Sequence, residues 1–93
     1  MDARMIKRRV LPVLRKYHVT KAGLFGSAAR GQMKGTSDVD LLVKLPRKSS
    51  LFDFIKLKMD LETALGKEAD VVEYECVKPR LKKRILGEEV SLL

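Results

Sequence analysis

The sequence predicts a mixed α/β (α+β) fold, a small mixed three-stranded sheet covered by about four helices. Three observations carry this expectation. Apolar residues recur at helical spacing near the start and in the middle of the chain. Two short apolar runs, "DVDLLVKL" and "ADVVEY", have strand length and β-branched content. Glycine, proline and serine fall between these stretches and punctuate them.

The elements follow in order. From Ala3 to Tyr17, Ile6, Val10, Val13, Leu14 and Tyr17 mark one helical face. Arg4, Lys7, Arg8, Arg15 and Lys16 occupy the others, and Pro12 is expected to bend or restart the helix. Val19 to Phe25 reads as a strand ending at Gly26. Ser27 to Met33 reads as a short helix with Ser27 as N-cap, limited by Gly31. Asp38 to Leu45 is the clearest strand. After the "PRKSS" connector, Ser50 caps a helix with Asp53 three residues on. Its face runs through Leu51, Phe54, Leu57 or Lys58, Leu61, Ala64 and Leu65, and Gly66 stops it. Ala69 to Tyr74 is the third strand. Pro79 opens a last helix with Leu81, Ile85 and Leu86, closed by Gly87, and the tail "EEVSLL" is free to pack back on the core.

A chain of 93 residues is expected to form one domain, residues 1–93. An apolar fraction of 45% beside 34% charged residues excludes a disordered chain. The net charge of +8 suits an anionic ligand, a nucleic acid or an acidic protein, or a solvated Lys/Arg/Glu-rich surface. Cys76 is the single cysteine, so an intrachain disulfide is excluded; it is expected to pack as a small apolar residue. His18 is also alone, which excludes a Cys/His metal cluster. The chain shows no secretory h-region and no bilayer-length apolar run, and a soluble, cytoplasmic protein without membrane contact is expected.

Two aspartates one residue apart in an apolar strand need an explanation. Residues i and i+2 of a strand point to one face, roughly 6.6 Å apart. Asp38 and Asp40 therefore share a face, with Val39 and Leu41 on the other. Carboxylate oxygens suit Mg²⁺, which would keep both ionised. Asp70, opening the third strand, is the candidate third ligand if that strand lies beside the second; Glu73 and Glu75 are rivals deeper along it. Alone, such a pair also fits a solvated strand edge.

Gly26-Ser27 lies where a strand ends and a helix begins. Glycine lets backbone approach a ligand, and helix N-terminal amides receive phosphate oxygens. Arg30, one turn on, can add a charge-assisted contact, or form a surface ion pair. Ten residues separate Ser27 from Asp38, enough to return the chain to the same end of the sheet.

The pattern of Gly26-Ser27, ten residues, then Asp38-Val39-Asp40 resembles the signature of the DNA polymerase β-like nucleotidyltransferases. The short chain and the run from "GSAARG" to "SDVDLLV" resemble its minimal, or MNT, subgroup, over nearly the whole chain. The resemblance implies a palm-like nucleotidyltransferase fold. It implies that Gly26 and Ser27 bind a triphosphate and that Asp38 and Asp40 hold two Mg²⁺ ions. Asp70 would hold one of them and help activate an acceptor hydroxyl. Two departures stand out: Ala28 is smaller than the usual residue after Gly-Ser, and "EEVSLL" lacks a tyrosine often found there. Many relatives are encoded beside HEPN-domain proteins and act as antitoxins, some by moving AMP from ATP to a tyrosine of the HEPN toxin. The implied function is therefore Mg²⁺-dependent AMP transfer from ATP to a HEPN toxin.

So short a chain leaves little room for acceptor recognition, which must come from a partner or a second copy. The basic stretches Arg4 to Lys16 and Arg80 to Arg84 are candidate docking surfaces for an acidic partner. The alternatives are an antitoxin that acts by binding alone and a basic nucleic-acid-binding module. Five aromatics without basic–aromatic interleaving argue against nucleic acid.

Overall fold

The computed structural model describes residues 2–26, 39–80 and 87–93. Helix α1 spans Ala3–Lys16, strand β1 Lys21–Phe25, strand β2 Val39–Lys44 and helix α2 Leu51–Leu65. Strand β3, Ala69–Glu73, leads into a 3₁₀ turn, Tyr74–Cys76, and Val90–Ser91 forms strand β4. The expected short helix at Ser27 to Met33 lies outside the described residues, as do Leu81, Ile85 and Leu86 of the expected last helix. Residues 79–80 and 87–88 are helical, so Gly87 itself lies in helical backbone instead of closing a helix.

Each helix end has a local cause. The Asp2 carboxylate accepts from the Met5 amide at 2.8 Å and caps α1, and Arg15 and Lys16 complement the dipole at its other end. Helix α1 runs unbroken through Pro12. Pro12 and Arg8 are both exposed, so water can serve the carbonyl left without a donor. At α2 the expected cap forms as a reciprocal box. The Asp53 amide donates to Ser50 Oγ at 3.3 Å, and the Ser50 amide donates to Asp53 Oδ2 at 2.8 Å. Gly66 takes a φ of 71°, the left-handed conformation that ends α2 at low cost for glycine.

The sheet order is β3-β2-β1-β4. Strand β1 runs antiparallel to β2 and β4, whereas β2 and β3 are parallel, joined by α2. The fourth strand corrects the expected count of three. The tail does pack back: the Leu92 amide donates to the Ala22 carbonyl at 3.0 Å, and Leu92 is buried.

Alternation divides the sheet into two faces. Ala22, Leu24, Val39, Leu41, Val43, Ala69 and Val71 join Ile6, Val10, Leu14, Leu57, Leu61 and Leu65 in one core beneath the two helices. The helices are tied by the Tyr17 hydroxyl, which donates to Asp60 Oδ2 at 2.6 Å, and by the Lys16–Asp60 pair at 3.4 Å. On the opposite face lie Gly23, Leu42, Phe25, Asp40 and Asp70, by register. There Glu89 lies so close over Gly23 that a Cβ would collide with its carboxylate, and Tyr74 donates to Glu89 Oε2 at 2.6 Å. Cys76 is exposed, not packed, because β3 stops at Glu73 and the following turn buries Tyr74 instead.

Candidate functional site

The sequence left the position of Asp70 dependent on how the third strand pairs. In the parallel β2–β3 ladder Asp40 stands opposite Asp70, and Val39 opposite Ala69. Neighbours across a ladder share a face, so the two carboxylates project together from the starts of their strands. Glu73 pairs with Val43 at the other end of the ladder, and Glu75 lies beyond it; both line a different groove.

Helix α2 sets that register. Glu62 Oε2 accepts from the Ala69 amide at 3.0 Å, and the Val39 amide donates to the Glu68 carbonyl at 3.3 Å. These bonds hold the first residue of β3 beside the first residue of β2, which places Asp70 level with Asp40.

Gly26 completes the described part of the rim. Phe25 pairs with Asp40, so the chain leaves β1 directly beside that carboxylate. Gly26 has a φ of 72°, and a Cβ there would stand 2.5 Å from Asp40 Oδ2. Only glycine fits both the conformation and the close approach. Ser27, Arg30 and Asp38 lie outside the described residues.

An open cavity of about 350 Å³ is lined by Asp40, Lys58, Glu62, Glu68, Ala69 and Asp70. Lys58 and Glu62 project from α2, one turn apart, and bring a cation and a third nearby acid to the carboxylate rim. Sequence reasoning missed both. Lys58 had an ambiguous place on the apolar face of α2, and only the tertiary fold shows which flank borders the strand starts. Among the described residues no three His, Cys, Asp or Glu side chains are grouped closely enough to hold a metal. The described donor set is two facing carboxylates, hard oxygen ligands of the kind Mg²⁺ takes, and it fits such an ion in part.

Comparison with known proteins meets this geometry at the level of the family. The profile described as "Polymerase beta, Nucleotidyltransferase" matches residues 9–93. The chain belongs to the polymerase β nucleotidyltransferase family. A Methanocaldococcus jannaschii protein, provisionally named a protein adenylyltransferase, is 47% identical over 93 residues, 100% of both chains. The protein adenylyltransferase MntA of Thermococcus cleftensis is 40% identical over 75 residues, covering 81% of this chain and 76% of that one. A solved minimal nucleotidyltransferase, itself provisionally assigned, superposes with a TM-score of 0.85 at 34% identity, over 97% of this chain and 95% of that one. The same fold recurs in the complex of Shewanella oneidensis tri-AMPylated HEPN toxin with MNT antitoxin. There the TM-score is 0.72 at 18% identity, over 97% of this chain and 71% of the other. The minimal nucleotidyltransferase resemblance read from Gly26-Ser27 and Asp38-Val39-Asp40 is therefore shown at family level, and so is the mixed α/β class. Within this nucleotidyltransferase, no described helix is long and apolar enough to cross a membrane.

Proposed function

We propose that this nucleotidyltransferase moves AMP from ATP to a hydroxyl of a partner protein, a tyrosine of a HEPN toxin, and thereby acts as an antitoxin in the cytoplasm. The observation that carries the proposal is the pairing of Asp40 with Asp70 beside the backbone of Gly26. Relatives named as protein adenylyltransferases support the transfer, and the AMPylated toxin complex of a fold neighbour supports the acceptor. Residues 1–93 would form the single catalytic domain.

Asp40 and Asp70, with Asp38 by sequence, would hold two Mg²⁺ ions. Such ions supply charge neutralisation at the phosphates and a lowered pKa at the attacking hydroxyl. Gly26 brings main chain against the carboxylate rim, where a side chain would block the triphosphate. Ser27 and Arg30 are assigned to the phosphates from their place in the sequence. Lys58 adds positive charge to the cavity wall, which favours a polyanion over a neutral ligand. Asp70 is exposed on the edge strand, open to an incoming acceptor, and its carboxylate is the proposed proton acceptor. The acceptor oxygen bonds to the α-phosphorus, and the bond from that phosphorus to pyrophosphate breaks. The protein contributes position and preorganised charge to this displacement.

Labelled ATP and Mg²⁺, incubated with the chain and a HEPN-domain protein from the same organism, should label the HEPN protein on tyrosine. Equal labelling by an Asp40→Asn, Asp70→Asn double variant would sink the assignment. A double variant that labels nothing yet still neutralises the toxin would assign antitoxin action to binding alone.

A further inference from the structure

Helix α2 is apolar on two sides. Leu57, Leu61 and Leu65 face the core, and that burial accounts for the amphipathic pattern. Leu51, Phe52, Ile55 and Met59 form a second stripe, spaced at single turns, that faces solvent. Leu51 and Phe52 are each 73% exposed, Met59 60% and Ile55 46%. Four large apolar side chains in one contiguous exposed row are more than scattered surface residues, and such rows mark contact sites.

Its location restricts what covers it. Lys58 and Glu62 border the stripe and also line the Asp40–Asp70 cavity. At its other end Leu51 lines a groove of about 880 Å³ that also includes Phe54, Pro46 and Val71. The row therefore leads along the flank of α2 from a groove of mixed polarity to the carboxylate rim. At helical spacing, Lys56 and Lys58 fall on opposite sides of it, and the exposed Lys48 precedes it.

We propose that the Leu51–Phe52–Ile55–Met59 stripe docks the protein acceptor, through an apolar helix face of that partner rimmed by acidic side chains. The inference rests on the reading that the acceptor is a protein. A surface continuous with the site positions the acceptor hydroxyl at Asp70 while the lysines select for acidic flanks. A second copy of this chain fits less well. Two-fold pairing of the stripe would set Lys56 and Lys58 of one copy near the same lysines of the other, in a chain of net charge +8.

The test uses the full chain carrying Phe52→Ser, Ile55→Ser and Met59→Ser, with the HEPN protein proposed above as acceptor. Binding is measured by calorimetry without nucleotide, at low and high salt, and AMP transfer is measured separately. The proposal expects at least tenfold weaker binding and a raised KM for the acceptor. The KM for ATP and the thermal melt should stay unchanged, and wild-type binding should weaken with salt. Wild-type affinity in the triple variant, or no wild-type binding at all, overturns it. So does a wild-type dimer by light scattering that the triple variant abolishes, since a second copy would then cover the stripe. An absence of AMP transfer by the wild type counts against the proposed activity alone, because the binding arm is read without it.

Discussion

Asp40 and Asp70 lie opposite one another across the parallel pair of strands, although 29 intervening residues, an entire helix among them, separate the two in sequence. Their meeting depends on α2 and on the Glu62 carboxylate, which fixes where β3 begins.

Removing either carboxylate should slow transfer severely while sparing the fold. For Asp70→Asn the expected loss in kcat is on the order of 10² to 10³, the size seen when one preorganised charge contact is removed. Asp70 is exposed, so the urea midpoint should hold or rise slightly. Labelling kinetics and urea melts on the same preparation check both.

Glu62→Gln keeps the shape but weakens the acceptor for the Ala69 amide. Transfer should fall while unfolding free energy drops by about 1 kcal/mol. Partial retention is expected, because the neutral amide oxygen still accepts; Glu62→Ala should cost more.

Gly26→Ala brings a methyl against Asp40 Oδ2 in a left-handed backbone. The strain is about 1–2 kcal/mol from the conformation alone. Chemical denaturation should show that loss, and ATP affinity should fall by calorimetry. Gly66→Ala, also left-handed but with open space around its Cβ, should cost stability without touching ATP binding.

Two tyrosine–carboxylate pairs shape the pH profile, Tyr74–Glu89 at its alkaline end and Tyr17–Asp60 at both, because the hydrogen bond to Asp60 also raises the Tyr17 phenol pKa. Burial and the Glu89 carboxylate push the Tyr74 phenol well above its ordinary value. The folded state then holds a proton that the unfolded chain releases. That contribution is whole below the ordinary pKa of 10.0 and is lost as pH rises toward the folded value. At Asp60 the hydrogen bond from Tyr17 lowers the carboxyl pKa below 3.8, against a smaller opposing effect of burial. Its contribution is present above that value and disappears as pH falls through the folded one. Thermal melts across pH should show the alkaline decline flattened in Tyr74→Phe and the acidic decline flattened in Tyr17→Phe.

Much of this was legible because it is local. The Ser50–Asp53 box, Gly66, and the alternation that buries Val39 and Leu41 while turning Asp40 outward all follow from neighbouring residues. What required the fold depends on long-range pairing. The tail "EEVSLL" has only two residues in strand, and their partners in β1 lie almost seventy positions earlier. Lys58 reads as one more residue on a helix until β3 is placed beside it. Cys76 looked apolar by type, yet its exposure follows from the turn that ends β3.

That exposed sulfur has a practical use. As the sole thiol of the chain, it accepts a single maleimide dye without any engineered substitution. It borders the groove shared with Leu51, at the far end of β3 from Asp70. A fluorophore attached there can register a protein arriving on the flank of α2, in real time, while leaving the acidic rim chemically intact.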